Sequence, residues 1–389
     1  MTPPRARQAR PSGNGAAAAM GLVPFTAAAH EHTEIAFDET LTPEGAAVQL
    51  GPFDVPAYGY FRHFLIEVTT VTEGEEEEGA KANEDFPFNL FSNIQINDVN
   101  GAPIFGPLDG YASLWASIVG GYAGRPDPRI MPYFSGTNKA PSFLLRVPLE
   151  VSHHDGFGSL ANQNAAASYR VALTLNEAEK LGTKIKKQPK IRVRGWLEAW
   201  SLPNERDIAG RPQAEAPPML DSAQYHSFFK KNVGAGAQTT LLVRVGSLIR
   251  NLIIIARDEE GARSDGVFPN PAQLEWDSRG IREDSQIMLQ ELLSASVPEL
   301  KARDAGVFAY PLDRSTKNTV GDDSPMLWYP TVQSTRLEIR GSAEEAGSLQ
   351  IITNDVAPVA VQPSERYQEE SRTGFHPESS GAGQVGPRS

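Results

Sequence analysis

FRHFLIEV at residues 61–68 and LIRNLIIIAR at residues 248–257 are long apolar runs, the first carrying aromatic and β-branched side chains and the second rich in isoleucine. Each is too short to span a bilayer as a helix and reads as a long strand in the middle of a sandwich sheet. Each is followed by a polar loop, and the elements beyond the loops recur in the same order. NIQINDVNG (93–101) and QLEWDSRG (273–280) are alternating strands that end in a glycine turn. A helix follows both. In the first half Leu108, Tyr111, Ala112, Trp115, Ile118 and Val119 fall at helical spacing behind Pro107, and Gly120-Gly121 closes the segment. In the second half Ser285 is an N-cap, Met288, Leu289, Leu292 and Leu293 form the apolar stripe, and Pro298 lies beyond its end. SFLLRVPL (142–149) then answers GVFAYPL (306–312), and the proline in each marks an edge strand. Two terminal strands close each half.

Working outward, 30 prolines and 34 glycines punctuate short strands throughout the chain of 389 residues. Strands are expected at 47–53, 62–72, 93–97, 142–151, 169–175 and 190–201, and again at 238–245, 248–257, 273–277, 306–310, 335–340 and 348–353. The fold class is therefore all-β: two tandem jelly-roll β-sandwiches, a double jelly roll, with one short helix inserted in each and flexible termini. The expected boundaries are an N-terminal arm at 1–32, the first jelly roll at 33–201, a proline-bearing linker at 202–222, the second jelly roll at 223–359 and a C-terminal tail at 360–389. Both ends are rich in Pro, Ala, Gly or Ser, and lack the apolar surface that would offset ordering entropy.

The chain has no cysteine, which removes disulfides, thiolate nucleophiles and Cys-ligated zinc. Its net charge of −12 opposes a folded surface that coats nucleic acid. Residues 5–23 place arginines before alanines in the manner of a signal peptide, but Gly13, Gly15 and Pro24 interrupt them, and an arm is the better reading. No Gly-x-Ser-x-Gly elbow, phosphate-binding loop or dinucleotide fingerprint occurs. His153 and His154 are neighbours that a strand would point to opposite faces; His30 and His32 share a face but lack a third ligand. No metal site, cofactor or catalytic residue is expected. Glu73, Glu75, Glu76, Glu77, Glu78, Glu84 and Asp85 read as a self-repelling solvated loop, an exposed insertion between two core strands. Asp258, Glu259, Glu260 and Asp265 occupy the corresponding loop of the second half, where a glycosidase carboxylate pair remains open. Trp196 and Trp200 read as core or interface residues.

This arrangement resembles the double jelly-roll major capsid proteins of tailless bacteriophages with an internal membrane, such as tectiviruses, over about residues 33–358. The carriers are the paired strands at 61–68 and 249–256, the segments 93–101 and 273–280, and the two helices. The resemblance implies a non-enzymatic coat protein, made soluble in the host cytoplasm and incorporated into the virion. Three copies would form a pseudo-hexagonal homotrimer, and trimers would tile an icosahedral capsid with minor capsid and vertex proteins, with no specific nucleic acid bound. Arg5, Arg7 and Arg10, with Leu22 and Phe25 among the apolar residues behind them, are the candidates for an arm facing the inner lipid membrane. The acidic run and the tail after Ala360 depart from the family's general pattern. The competing readings are a secreted two-domain β-sandwich carbohydrate-binding protein or glycosidase, and a trimeric minor capsid or spike protein.

Overall fold

The computed structural model describes residues 23–120, 127–152, 155–203, 214–215, 224–242, 247–277, 279–296, 303–311, 328–331 and 336–356. The first half runs from a single-turn helix α1 (Phe25–Ala28) through β1 (Glu31–Leu41), β2 (Val48–Asp54), β3 (Tyr60–Thr72), β4 (Glu75–Ala82), β5 (Phe91–Asn97) and β6 (Pro103–Leu108) to helix α2 (Gly110–Gly120). It continues with β7 (Phe143–Pro148), β8 (Leu160–Ala161), β9 (Arg170–Leu175), the turn α3 (Ala178–Leu181), β10 (Gly182–Lys187) and β11 (Lys190–Trp200). The second half comprises β12 (Gln224–Val233), β13 (Gly236–Leu242), β14 (Leu248–Arg257), β15 (Ala272–Trp276), β16 (Arg279–Asp284), α4 (Gln286–Ser296), β17 (Val307–Pro311), β18 (Tyr329–Pro330), β19 (Leu337–Ala343) and β20 (Gly347–Val356).

Among the described residues each half supplies eight framework strands, and the two sets pair in one order. Counting framework strands within a half, one sheet runs first, eighth, third, sixth: β1-β11-β3-β7, and β12-β20-β14-β17. The other runs second, seventh, fourth, fifth: β2-β9-β5-β6, and β13-β19-β15-β16. In both halves the helix lies between the fifth and sixth strands. This is a jelly roll built twice. β6 and β12 pair in parallel at His226 and Phe105, which joins sheets of the two sandwiches edge to edge and makes both point the same way.

The apolar run in β14 is continuous because both its faces are buried. Leu252, Ile254 and Ala256 enter the second sandwich's core, while Ile253 and Ile255 join the core of the first. Helix α2 is apolar around its circumference for a related reason: all eleven residues are buried, and it lies against β5, β7, β14 and β20. Its cap is Asp109, whose Oδ1 accepts from the Ala112 N–H at 2.6 Å, so Leu108 belongs to β6 and not to the helix. Ser285 caps α4 as expected, accepting from the Met288 N–H at 3.3 Å. The expected stripe is corrected at Met288: Leu289 and Leu293 are buried, but Met288 is 50% exposed and Ile287 81%. Pro148 and Pro311 lie on β7 and β17, which end their sheets.

β1 begins at Glu31, inside the segment read as arm. The acidic run is a larger correction. β4 pairs with β10 as a two-stranded ribbon, so Glu75 and Glu76 face Lys187 and Ile185. Lys186 lies 3.4 Å from Glu75, and the Lys184 ammonium donates to the Glu78 carbonyl at 3.3 Å. Exposed pairs of this kind add little; the backbone ladder holds the ribbon. The linker at 202–222 falls mostly outside the described residues; within it, the Glu215 N–H donates to the Val23 carbonyl at 2.8 Å.

Gly195 shows how closely the first core is packed. A Cβ there would sit 2.2 Å from Cε1 of Phe37 and 2.6 Å from Cζ of Phe64. Gly195→Ala is expected to cost about 1–2 kcal/mol in urea unfolding, because aromatic rings in a filled core have nowhere to retreat. A midpoint unchanged from wild type would show that Phe37 swings clear.

Candidate assembly surfaces

Two kinds of surface stand out: the seam that sets one sandwich against the other, and the outer walls of the pair. The seam is built from oppositely charged loops at one end of the paired sandwiches. Asp85 follows the ribbon of the first sandwich and is 6% exposed. Its carboxylate meets Arg257, at the end of β14, at 2.5 Å and Arg263 at 2.9 Å. Glu84 backs both guanidiniums at 3.7 and 3.4 Å. Burial raises the Asp85 carboxyl above its ordinary value, against the pull of the two arginines. Beside it the Tyr111 hydroxyl donates to Asp304 at 2.6 Å, Arg129 donates to the same oxygen at 2.6 Å, and Asp127 holds Arg129. Gln350 reaches Asp109 across the seam at 3.0 Å. Lower down, Phe105 packs 4.9 Å from the His226 ring, and Tyr225 and Phe228 of β12 press on the first sandwich's core.

β3 spans 13 residues, about 40 Å at ~3.3 Å each, so its two ends define the height of the sandwich. The ribbon rises from its Thr72 end. At its Tyr60 end lies an aromatic and ionic cluster around Trp200. Arg62 stacks over the Trp200 ring at 3.8 Å and pairs with Glu150 at 2.7 Å and Glu31 at 2.8 Å. The Trp200 indole N–H also donates to Glu150 at 2.8 Å. Burial pushes the Glu150 carboxyl up to about 7, outweighing Arg62.

The expected membrane-facing arm divides between two kinds of residue. Arg5, Arg7, Arg10 and Leu22 lie outside the described residues. Phe25 is corrected: it is 2% exposed in α1, with its ring edge-on to Tyr60 at 5.2 Å and to Trp200 at 6.2 Å. An apolar ring spent in the subunit's own packing is not free to enter lipid. His32 stacks on Tyr58 at 3.8 Å and its Nε2 lies 3.3 Å from Glu34. His153 and His154 lie outside the described residues. Among the described residues no group of three or more His, Asp or Glu side chains is placed to hold a metal.

In the second acidic loop Asp258 and Asp265 are each engaged by bonds within the chain. Asp258 accepts from the Ala262 N–H at 2.8 Å and closes a turn. Burial would raise the Asp265 carboxyl, but two bonds from Arg303 and one from the Gly306 N–H hold it below its usual range. A cleft of about 610 Å³ beneath the ribbon is lined by Lys81, Asp85, Asp109, Lys180, Lys230 and Arg257. Its mixed charges differ from the mostly apolar lining of small-molecule sites. The seam residues were missed at the sequence level; the one signal they offered was acid in the loop after β3 opposed by arginines around the loop after β14. The walls carry outward apolar residues, among them Ile35 at 43%, Ile130 at 55%, Tyr133 at 48% and Ile287.

No family model and no curated protein matches this chain. Solved structures do. The atomic structure of Sulfolobus Turreted Icosahedral Virus contains a chain 11% identical, at TM-score 0.58, covering 88% of this chain and 96% of that one. The crystal structure of the STIV MCP is 12% identical at TM-score 0.56, covering 85% and 97%. The PBCV-1 virus capsid model is 12% identical at TM-score 0.50, covering 84% and 94%. At such identities the likeness concerns the fold, and the fold of this chain is the double jelly roll that those structures share.

Proposed function

We infer that this chain is the major capsid protein of a virus whose shell encloses a lipid membrane, as in tectivirus-like bacteriophages, and that it is not an enzyme. The observation that carries this reading is the parallel junction of β6 and β12, which sets two sandwiches of one topology side by side in one orientation. Two such units per chain make three copies equivalent to six, so a homotrimer presents a pseudo-hexagonal outline that tiles a flat or gently curved lattice. The sequence span of the likeness, nearly the whole of each neighbour, supports a subunit of the same design. Neighbouring trimers and minor capsid and vertex proteins are then its partners, and the virion is its location. The arm bearing Arg5, Arg7, Arg10 and Leu22 is assigned to the inner surface, where anionic head groups favour its charge.

Light scattering behind size exclusion tests the coat reading: purified chain is expected at three times its 42.2 kDa mass, and in negative stain at high concentration as sheets or shells. A monomer at every concentration would remove it. Deleting residues 1–22 is expected to preserve the trimer and abolish co-sedimentation with anionic vesicles. Unchanged co-sedimentation would take the arm out of the proposal.

A further inference from the structure

The cleft of about 610 Å³ beneath the ribbon is walled by both sandwiches. The ribbon brings Lys81, the turn α3 brings Lys180, and β12 and β14 of the second sandwich bring Lys230 and Arg257. Backbone bonds hold these walls in place. Lys81 faces Thr183 across the ribbon, and Lys230 faces Gln350 across the β12–β20 ladder. The Asn89 side-chain amide donates to the Lys180 carbonyl at 2.9 Å, and that of Asn176 donates to the Asn89 carbonyl at 3.2 Å, so α3 is pinned. The cleft therefore exists only while the two sandwiches stay seamed. It lies at the ribbon end of β3, away from Trp200 and from Phe25 at the root of the arm.

Its charges do not cancel. Asp85 is taken by Arg257 at 2.5 Å and by Arg263 at 2.9 Å. Asp109 spends one carboxylate oxygen on the Ala112 N–H and the other on Gln350. Lys180 meets Glu177 at 3.4 Å, but both side chains are exposed, and such a pair is weak. Lys81 and Lys230 have no acidic partner among the described residues, and Glu179 is the one loose carboxylate of the described lining. Three ammonium groups thus converge on a pocket of a chain whose net charge is −12. The lining also narrows the kind of anion. Phe91 is fully buried and Tyr111 is 2% exposed, so neither offers a ring face on which a base or a sugar could stack. A phosphate group carries about −1.5 to −2 charges on three acceptor oxygens, so one compact group can answer several lysines where a carboxylate answers one.

We propose that this cleft binds a compact phosphate-bearing anion, held by Lys81 and Lys180 of the first sandwich and Lys230 of the second. Because the lysines come from both sandwiches, occupancy ties the two together at the same end as the Asp85 lock. The folded chain binds the anion and the unfolded chain does not, so stability rises with the logarithm of ligand concentration once the site is saturated. The phosphate can arrive free in solution or as part of a cell-surface polymer, and the same lysines serve both. This goes beyond the coat reading and rests on it only for the outward direction of the cleft.

Calorimetric titration of the full chain with inorganic pyrophosphate, at an ionic strength held constant with chloride, is expected to show saturable binding and a thermal midpoint that climbs with added ligand. Lys81→Gln and Lys230→Gln are each expected to weaken that binding about tenfold. Lys186→Gln, on the ribbon beside Glu75 and outside the described lining, is expected to leave it unchanged. All three side chains are exposed, so the midpoints without ligand are expected to stay at the wild-type value. Poly(glycerol phosphate) separates the two sources: competition with pyrophosphate extends the site to a surface polymer, and failure to compete assigns it to the free anion. No saturable binding, or an affinity untouched by Lys81→Gln and Lys230→Gln, overturns the proposal. Light scattering on the same sample keeps the readings apart. A trimer that binds no pyrophosphate leaves the coat reading standing, and a monomer that binds it removes the coat reading while the cleft stands.

Discussion

Asp85→Ala is expected to lower the free energy of unfolding by about 3 kcal/mol, the loss that follows when one partner of a buried ion pair is removed. The arginines it would abandon are themselves enclosed: the Arg257 side chain is 13% exposed and that of Arg263 11%. Glu84, at 36%, remains within 4 Å of both and softens the loss, which places the effect at the low end of the range for such deletions. Asp85→Asn keeps an acceptor but gives up the charge, and roughly half the loss is expected from it. Urea unfolding followed by tryptophan fluorescence reports both halves, through Trp115 in the first and Trp328 in the second. A loss under about 1 kcal/mol for Asp85→Ala would mean that Glu84 alone satisfies both guanidiniums. The consequence reaches beyond stability. This lock fixes the angle between sandwiches, and in the proposed homotrimer that angle sets whether the third copy meets the first.

Legibility in the sequence followed burial. β14 was readable because two buried faces demand an unbroken apolar run, and α4 because Ser285 and a one-sided stripe mark its start and inner face. β1 was hidden: it is an edge strand whose residues are mostly exposed, so EHTEIAFDETL carries charge where a core strand carries valine or isoleucine. β4 was hidden more deeply, since four consecutive glutamates repel one another in isolation, and only pairing with β10 settles them into a ladder. The seam could not be read at all. Asp85 meets Arg257 through a contact between distant parts of the chain, and periodicity reports only on a residue's own element. The internal repeat was visible as an order of elements. Its use, with β6 meeting β12, required the strand order of the sheets.

Acid is expected to loosen the same seam through His226. This residue is 4% exposed, its Nε2 lies 3.0 Å from the Asn354 amide, and β12 meets β6 at its backbone. Burial, and secondarily the charge of Arg250, lowers its pKa from 6.5 to about 3. Between those values the unfolded chain binds a proton that the folded chain refuses, so stability falls as pH falls through that window and is unaffected above it. For one such group the loss between pH 6 and pH 4 is about 2.5 kcal/mol. Carboxylates add their own pH dependence, so the decisive measurement is a comparison. His226→Gln keeps an acceptor within reach of Asn354 and has no proton to gain, and its stability should drop less over that interval by about the same 2.5 kcal/mol. Denaturant titrations of both proteins at pH 6 and pH 4 give the difference directly. Parallel losses in the two would mean that the imidazole is already satisfied as a cation, and that the β6–β12 junction is indifferent to acid.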